Sequence, residues 1–216
     1  MNLICEHVCK DIKGTRVLDD INLELEGGKV YGLWGKNGCG KTMLMRCLCG
    51  FIQPTSGRVL VEGKELWKDI SFPESVGVLI ENPSFLNEYT GFQNLQILAS
   101  IRKQIDEKVI REMLRCVGLD PYDRRKYRKY SLGMKQHLGI ACAVMESPKL
   151  IILDEPINAL DESGVKLVRT LLHSMKEKGS LILIACHDKE EMQILADEIY
   201  VMAEGRIELN RPSSSL

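Results

Sequence analysis

The run Gly35-Lys36-Asn37-Gly38-Cys39-Gly40-Lys41-Thr42 restricts this chain to a small group of folds. It fits G-x-x-x-x-G-K-S/T, a spacing that acts as the turn between a strand and a helix. Both neighbours are present. Val30-Tyr31-Gly32-Leu33-Trp34 is an apolar strand, and residues 43–48 continue as a helix closed by Gly50. Glycines let the backbone curl into a nest whose N–H groups face inward, complementary to phosphate oxygens. The following helix adds the positive end of its dipole. Lys41 supplies a point charge for the terminal phosphates, and Thr42 a hydroxyl for a magnesium ion. All eight residues therefore form the expected lining of a nucleoside triphosphate site.

The rest of the chain reads as strands, then helices, then strands. A turn at Pro54-Thr55-Ser56-Gly57 leads into a short strand at 58–62, and Val76-Gly77-Val78-Leu79-Ile80 is another buried strand. Residues 91–145 read as helical. Within them Asp106 caps a helix with Val109, Ile110, Met113, Leu114 and Val117 on its apolar side and Gly118 as its stop. Strands return at 149–153, 181–186 and 198–202, with a helix over about 164–178. Strand–helix–strand alternation predicts an α/β core with a mostly parallel sheet, and the helical middle reads as an insertion into it.

Leu150-Ile151-Ile152-Leu153-Asp154-Glu155 is an apolar strand ending in two acids. Open α/β sheets bind ligands at the carboxyl ends of their strands. Asp154 is thus placed to hold magnesium, directly or through water, and Glu155 to orient or deprotonate an attacking water.

Composition narrows the function classes. Lys and Arg number 29 against 30 Asp and Glu, a net charge of −1. A protein held by nucleic-acid phosphates usually carries a basic excess, so no nucleic-acid partner is expected. No apolar run approaches the ~20 residues needed to cross a bilayer, and residues 1–10 lack the pattern of a secretory signal. A cytoplasmic protein is expected, reaching a membrane only through a partner. The eight cysteines show no pairing suited to zinc and read as small apolar side chains in a reducing compartment.

Tyr130-Ser131-Leu132-Gly133-Met134-Lys135-Gln136 opens a helix shortly before the acidic strand. Ser131 and Gly133 at a helix start can form a second anion site. Phosphate loop, this helix and acidic strand, in that order, resemble the nucleotide-binding subunit of ABC transporters. The likeness covers nearly the whole chain. Asn158-Ala159-Leu160-Asp161 resembles the family's dimer-contact D-loop, and Cys186-His187-Asp188 its switch histidine. Val17-Leu18-Asp19-Asp20-Ile21 with Gly27-Gly28 resembles its amino-terminal antiparallel sheet.

The resemblance implies one ATPase domain over residues 1–216, with an α/β nucleotide core at 1–84 and 146–216 and a helical subdomain at 85–145. It implies ATP and Mg2+ as cofactors, with Lys41, Glu155 and His187 serving catalysis. Two subunits face head to tail, each ATP lying between one phosphate loop and the other subunit's Ser131, Gly133 and Asp161 region. Closing and opening drive separate transmembrane permease subunits, so the chain is expected to be peripheral on the cytoplasmic face of the cell membrane. The groove near residues 81–94 is expected to receive a short helix of that permease. A homodimer and a heterodimer with a related subunit both remain open.

Three positions depart from the family pattern. Ile12 stands where an aromatic usually stacks on adenine, leaving Val17 for apolar contact and the ATP-against-GTP preference open. Met43 replaces a second hydroxyl residue. Glu81 replaces a Gln; it can still reach magnesium through oxygen but adds charge and loses an amide donor. With Asn82-Pro83-Ser84-Phe85, Tyr89-Thr90-Gly91 and Ser131-Leu132-Gly133-Met134, Glu81 resembles the branch of bacterial exporters that protect the cell from peptide antibiotics such as bacitracin and lantibiotics; neutral drift within a generic exporter is the other reading. One alternative is a soluble ABC-type ATPase acting on nucleic acid or ribosomes, which typically carries coiled-coil insertions or two fused ATPase halves. Another is a nucleotide kinase, which shares the phosphate loop but neither the Ser131–Gly133 helix start nor the D-loop. This chain has no sustained heptads and a single phosphate loop.

Overall fold

A computed structural model describes residues 1–212. Its strands are β1 (Asn2–Ile12), β2 (Thr15–Glu26), β3 (Lys29–Trp34), β4 (Ser56–Val61), β5 (Lys64–Glu65), β6 (Val76–Leu79), β7 (Leu150–Asp154), β8 (Leu181–Ala185), β9 (Glu198–Ala203) and β10 (Arg206–Pro212). Its α-helices are α1 (Lys41–Leu48), α2 (Gly91–Arg102), α3 (Glu107–Cys116), α4 (Leu132–Val144), α5 (Glu162–Glu177) and α6 (Lys189–Leu195). An antiparallel sheet runs β2-β1-β4-β5, and a second sheet runs β10-β9-β3-β8-β7-β6. In the second sheet β9, β3, β8, β7 and β6 are parallel, with β10 antiparallel at one edge.

The two sheets differ because their sequences bury differently. β7 and β8 are buried at every residue, as strands covered on both faces must be. Their two-residue period divides each strand between two cores. Ile151, Leu153, Ile182 and Ile184 face the core shared with α2–α5. Leu150, Ile152, Leu181 and Leu183 face the core shared with α1 and the antiparallel sheet. β2 instead alternates buried and exposed residues over Ile21–Glu26, the pattern of a sheet with one solvated face.

Between β6 and β7 the chain passes through α2, α3 and α4. Asp106 Oδ1 accepts from the Val109 N–H at 3.0 Å and starts α3 as anticipated. Ile110, Met113, Leu114 and Val117 are buried, and Val109 is half-buried. The expectation of helix throughout 91–145 needs correction at 119–131, which is irregular apart from one 3-10 turn (Tyr127–Lys129). Asp120 and Asp123 side chains accept from the Tyr122 and Arg125 N–H groups, and these local bonds compete with helix beside Pro121. The short helix α6 was not anticipated; its seven residues bury only Met192. α4 lies directly on β6: a β-carbon at Gly77 would stand 1.7 Å from the Ala143 carbonyl oxygen, so only glycine permits this approach.

Candidate nucleotide site

β3 delivers the chain to the loop and α1 carries it away, so the phosphate loop sits at the carboxyl edge of the parallel sheet. Gly40 takes φ 112°, and no side chain caps α1. The first N–H groups of the helix thus lack the cap that would compete with an anion. Lys41 is 6% exposed. Its ammonium folds back over the loop, donating to the Gly35 carbonyl at 2.6 Å and the Lys36 carbonyl at 3.2 Å. Its third contact is long, 4.0 Å to Cys39 Sγ, so a phosphate oxygen has only a weak sulfur acceptor to displace.

The acidic strand meets this loop from the adjoining half of the sheet. Thr42 Oγ1 donates to Asp154 Oδ2 at 2.6 Å, joining residues 112 positions apart. Glu155 sits just beyond β7 with φ 50°, its N–H held by the Ala185 carbonyl at 2.9 Å. From that turn its carboxylate reaches His187, Oε2 lying 2.8 Å from Nδ1. Val17, Asn37, Gly38, Gly40, Lys41, Thr42, Met43, Arg46, Glu81, Asp154 and Glu155 line one open cleft of about 390 Å³. On the other flank of the loop, His187 joins Trp34, Gly35, Lys36, Cys39 and Met202 around a second cleft.

Other sequence candidates lie outside that lining. Ile12 ends β1 and pairs with Thr15 across the first hairpin. Ser131 caps α4, accepting from the Met134 N–H at 3.2 Å. Gly133 abuts the D-loop, where a β-carbon would meet the Ala159 carbonyl at 2.9 Å. Asp161 caps α5, accepting from the Gly164 N–H at 2.8 Å, and this bond with Ser163 holds its carboxyl below the usual range. The chain therefore gathers Lys41, Thr42, Asp154 and Glu155 on one cleft and leaves Ser131, Gly133 and Asp161 outside its lining.

The oxygen donors suit magnesium shared with a phosphate. Thr42 and Asp154 present hard oxygens side by side, and magnesium binds through one or two carboxylates together with substrate phosphates. No group of three or more His, Cys, Asp or Glu that could hold a metal exists among the described residues. Glu81, the third metal candidate, has its carboxylate on Arg46 at 2.5 Å.

Two residues emerge that sequence reasoning did not single out. Gln136, buried on α4, donates through Nε2 to the carbonyls of Glu155 at 3.0 Å and Pro156 at 3.1 Å. It ties the Ser131 helix to the turn carrying the acid. Its signal was an amide just before the apolar run Leu138–Val144 of the same helix. Arg46 is the other, and nothing local in sequence marks it.

The family model for the ABC transporter matches residues 18–158. This chain belongs to the ABC transporter family and is an ATPase of that type, an ATP-binding subunit. It is 46% identical over 202 residues to the uncharacterized ABC transporter ATP-binding protein YybJ of Bacillus subtilis (strain 168), covering 94% of this chain and 93% of the relative. It is 42% identical to the bacitracin transport ATP-binding protein BcrA of Enterococcus faecalis, over 94% of this chain but 66% of that longer relative. It is 38% identical to the lantibiotic transport ATP-binding protein SrtF of Streptococcus pyogenes, over 90% of this chain and 84% of the relative. A solved ATP-binding subunit of an ABC transporter shares the fold at TM-score 0.90 and 24% identity, over 98% of this chain and 90% of that one. A dimeric cassette in a post-hydrolysis state, bound to ADP and Pi, shares it at TM-score 0.86 and 19% identity, over 99% and 100%. Among the described residues no helix is long and apolar enough to cross a membrane.

Proposed function

We propose that this chain hydrolyses MgATP to power a membrane exporter of peptide antibiotics. The observation that carries the reading is the division of the site. Lys41, Thr42–Asp154 and Glu155–His187 converge on the phosphate loop, while the exposed Ser131 cap lies outside the cleft lining. A second subunit placed head to tail supplies the missing half, so ATP joins two protein surfaces. The bacitracin and lantibiotic relatives support the substrate class.

In this mechanism Lys41 and the loop N–H groups hold the β- and γ-phosphates. Thr42 and Asp154 would hold a magnesium ion, which would supply positive charge beside the transferred phosphoryl group. Glu155 accepts the proton of the attacking water as its oxygen bonds to the γ-phosphorus and the bond to the bridging oxygen breaks. His187 lies with Nδ1 2.8 Å from Glu155 Oε2 and fixes the carboxylate by donating Nδ1–H; with both ring nitrogens protonated, Nε2–H is a donor for the terminal phosphate. Gln136 positions the same turn from the Ser131 helix. Val17 supplies apolar contact to adenine in place of the missing aromatic at Ile12. Residues 1–84 and 146–216 act as the nucleotide core and 85–145 as the helical subdomain that meets the partner. Separate permease subunits hold the chain on the cytoplasmic face of the membrane through the groove near Glu81–Asn94.

Glu155→Gln tests the reading. The amide cannot take the proton, so ATP binding persists while turnover falls at least ~100-fold, the lower range for losing a general base. The variant is expected to dimerise on MgATP in gel filtration. A chain that stays monomeric under saturating MgATP overturns the shared-site mechanism.

A further inference from the structure

Arg46 lies on α1, five residues beyond Lys41, and ion-pairs through its guanidinium with Glu81 Oε1 at 2.5 Å. Both residues line the nucleotide cleft beside Thr42 and Asp154. Glu81 follows β6 in a left-handed turn, φ 63°, that directs the chain into the Asn82–Phe85 segment. Arg46 is anchored at its backbone, where its carbonyl accepts from the Phe51 and Ile52 N–H groups at 2.9 and 3.2 Å.

The charges make this pair more than a surface contact. Asp154, Glu155 and Glu81 bring three carboxylates to a cleft whose ligand is itself a polyanion. Lys41 is already turned onto the loop carbonyls. Arg46 is the cation that meets the third carboxylate. A carboxylate with a guanidinium on it is a poorer donor to a divalent cation than a free one, because both compete for the same lone pairs.

We infer that Arg46 is a positioning residue that holds Glu81 in the nucleotide-free cleft and yields it when magnesium and triphosphate enter. Arg46 thereby makes a glutamate workable at position 81 and sets how strongly ATP binding depends on magnesium. The inference rests on the reading of this cleft as a MgATP site.

A double-mutant cycle on the full chain tests it, with ATP affinity measured by calorimetry in EDTA and in saturating magnesium. The readout is the ratio of the two dissociation constants. Arg46→Gln should raise that ratio about two- to fivefold when Glu81 is present, the size expected of a partly exposed ion pair. In the Glu81→Gln background the same change should leave the ratio unaltered. Arg46→Lys keeps the charge but not the fork and should fall between; it replaces Arg46→Gln in the cycle if that variant does not fold. An equal shift in both backgrounds means that Arg46 acts on the phosphates and overturns the inference. So does no shift in either, provided wild-type binding depends on magnesium. Wild-type binding indifferent to magnesium overturns the MgATP reading as well.

Discussion

At the scale of single residues, burial decides which titratable groups respond to solvent. Burial pushes the Cys47 thiol up to about 12 and the Cys49, Cys142 and Cys186 thiols up to about 11. All eight cysteines are free; Cys5, Cys39, Cys47, Cys49 and Cys186 are buried as apolar filler, Cys9 and Cys142 are half-buried, and Cys116 is exposed and does not fit that reading. His137 is the opposite case. Its Nδ1 is buried without a hydrogen-bond partner, and burial holds the ring below the ordinary histidine value, with Asp161 pulling the other way. The unfolded chain then binds a proton that the folded chain resists, so stability rises with pH through this window. That contribution is complete above the unfolded value of 6.5 and is lost progressively as pH falls below it. His137→Leu should therefore lose less stability than wild type between about pH 7 and about pH 5 in urea melts. Identical pH slopes would assign the acid-side loss to other groups.

At the scale of elements, two local devices fix the helices between β6 and β7. Thr90 and Gln93 form a reciprocal cap at the start of α2: Thr90 Oγ1 accepts from Gln93 N at 3.2 Å, and Gln93 Oε1 accepts from Thr90 N at 2.9 Å. Thr90→Ala should cost about 1 kcal/mol in denaturant melts, the usual loss for such a cap. Gly77 is the second device. Its contact with the Ala143 carbonyl joins α4 to the central sheet, so Gly77→Ala should cost about 1–3 kcal/mol, and more if α4 cannot shift. A stability change below about 0.5 kcal/mol there would mean that α4 moves aside freely.

At the scale of the whole molecule, ligand linkage reports whether the loop binds nucleotide. MgATP at a hundred times its dissociation constant should stabilise the chain by about 2.7 kcal/mol. For a chain of this size that is roughly 5–10 °C in melting temperature. Lys41→Ala should abolish the shift, because its ammonium is the cation folded against the loop. An equal shift in variant and wild type would place the nucleotide elsewhere.

The α/β core was legible because its signals are local. An apolar run before Gly35 and another before Asp154 are strands for reasons contained in a few residues, and the order of strands and helices limits their arrangement. The family's amino-terminal sheet was legible only by resemblance, and the irregular 119–131 segment was misread because Asp120 and Asp123 turned their side chains to the backbone. Motif spacing named Lys41 and Thr42, and an apolar strand ending in two acids, read beside that motif, named Asp154 and Glu155; the fold then brings all four to one cleft.

By itself, then, the sequence determined the core strands and the phosphate loop, which depend on neighbours within a turn or a strand, and the family, which depends on the order of motifs along the chain. Only tertiary structure decided that Thr42 bonds Asp154, that Gln136 holds the Glu155 turn, and that Arg46 occupies the Glu81 carboxylate. Those contacts join residues 112, 19 and 35 positions apart. Hydrogen bonds and ion pairs act over a few ångströms, and no periodicity along a chain records which distant side chains folding will bring that close.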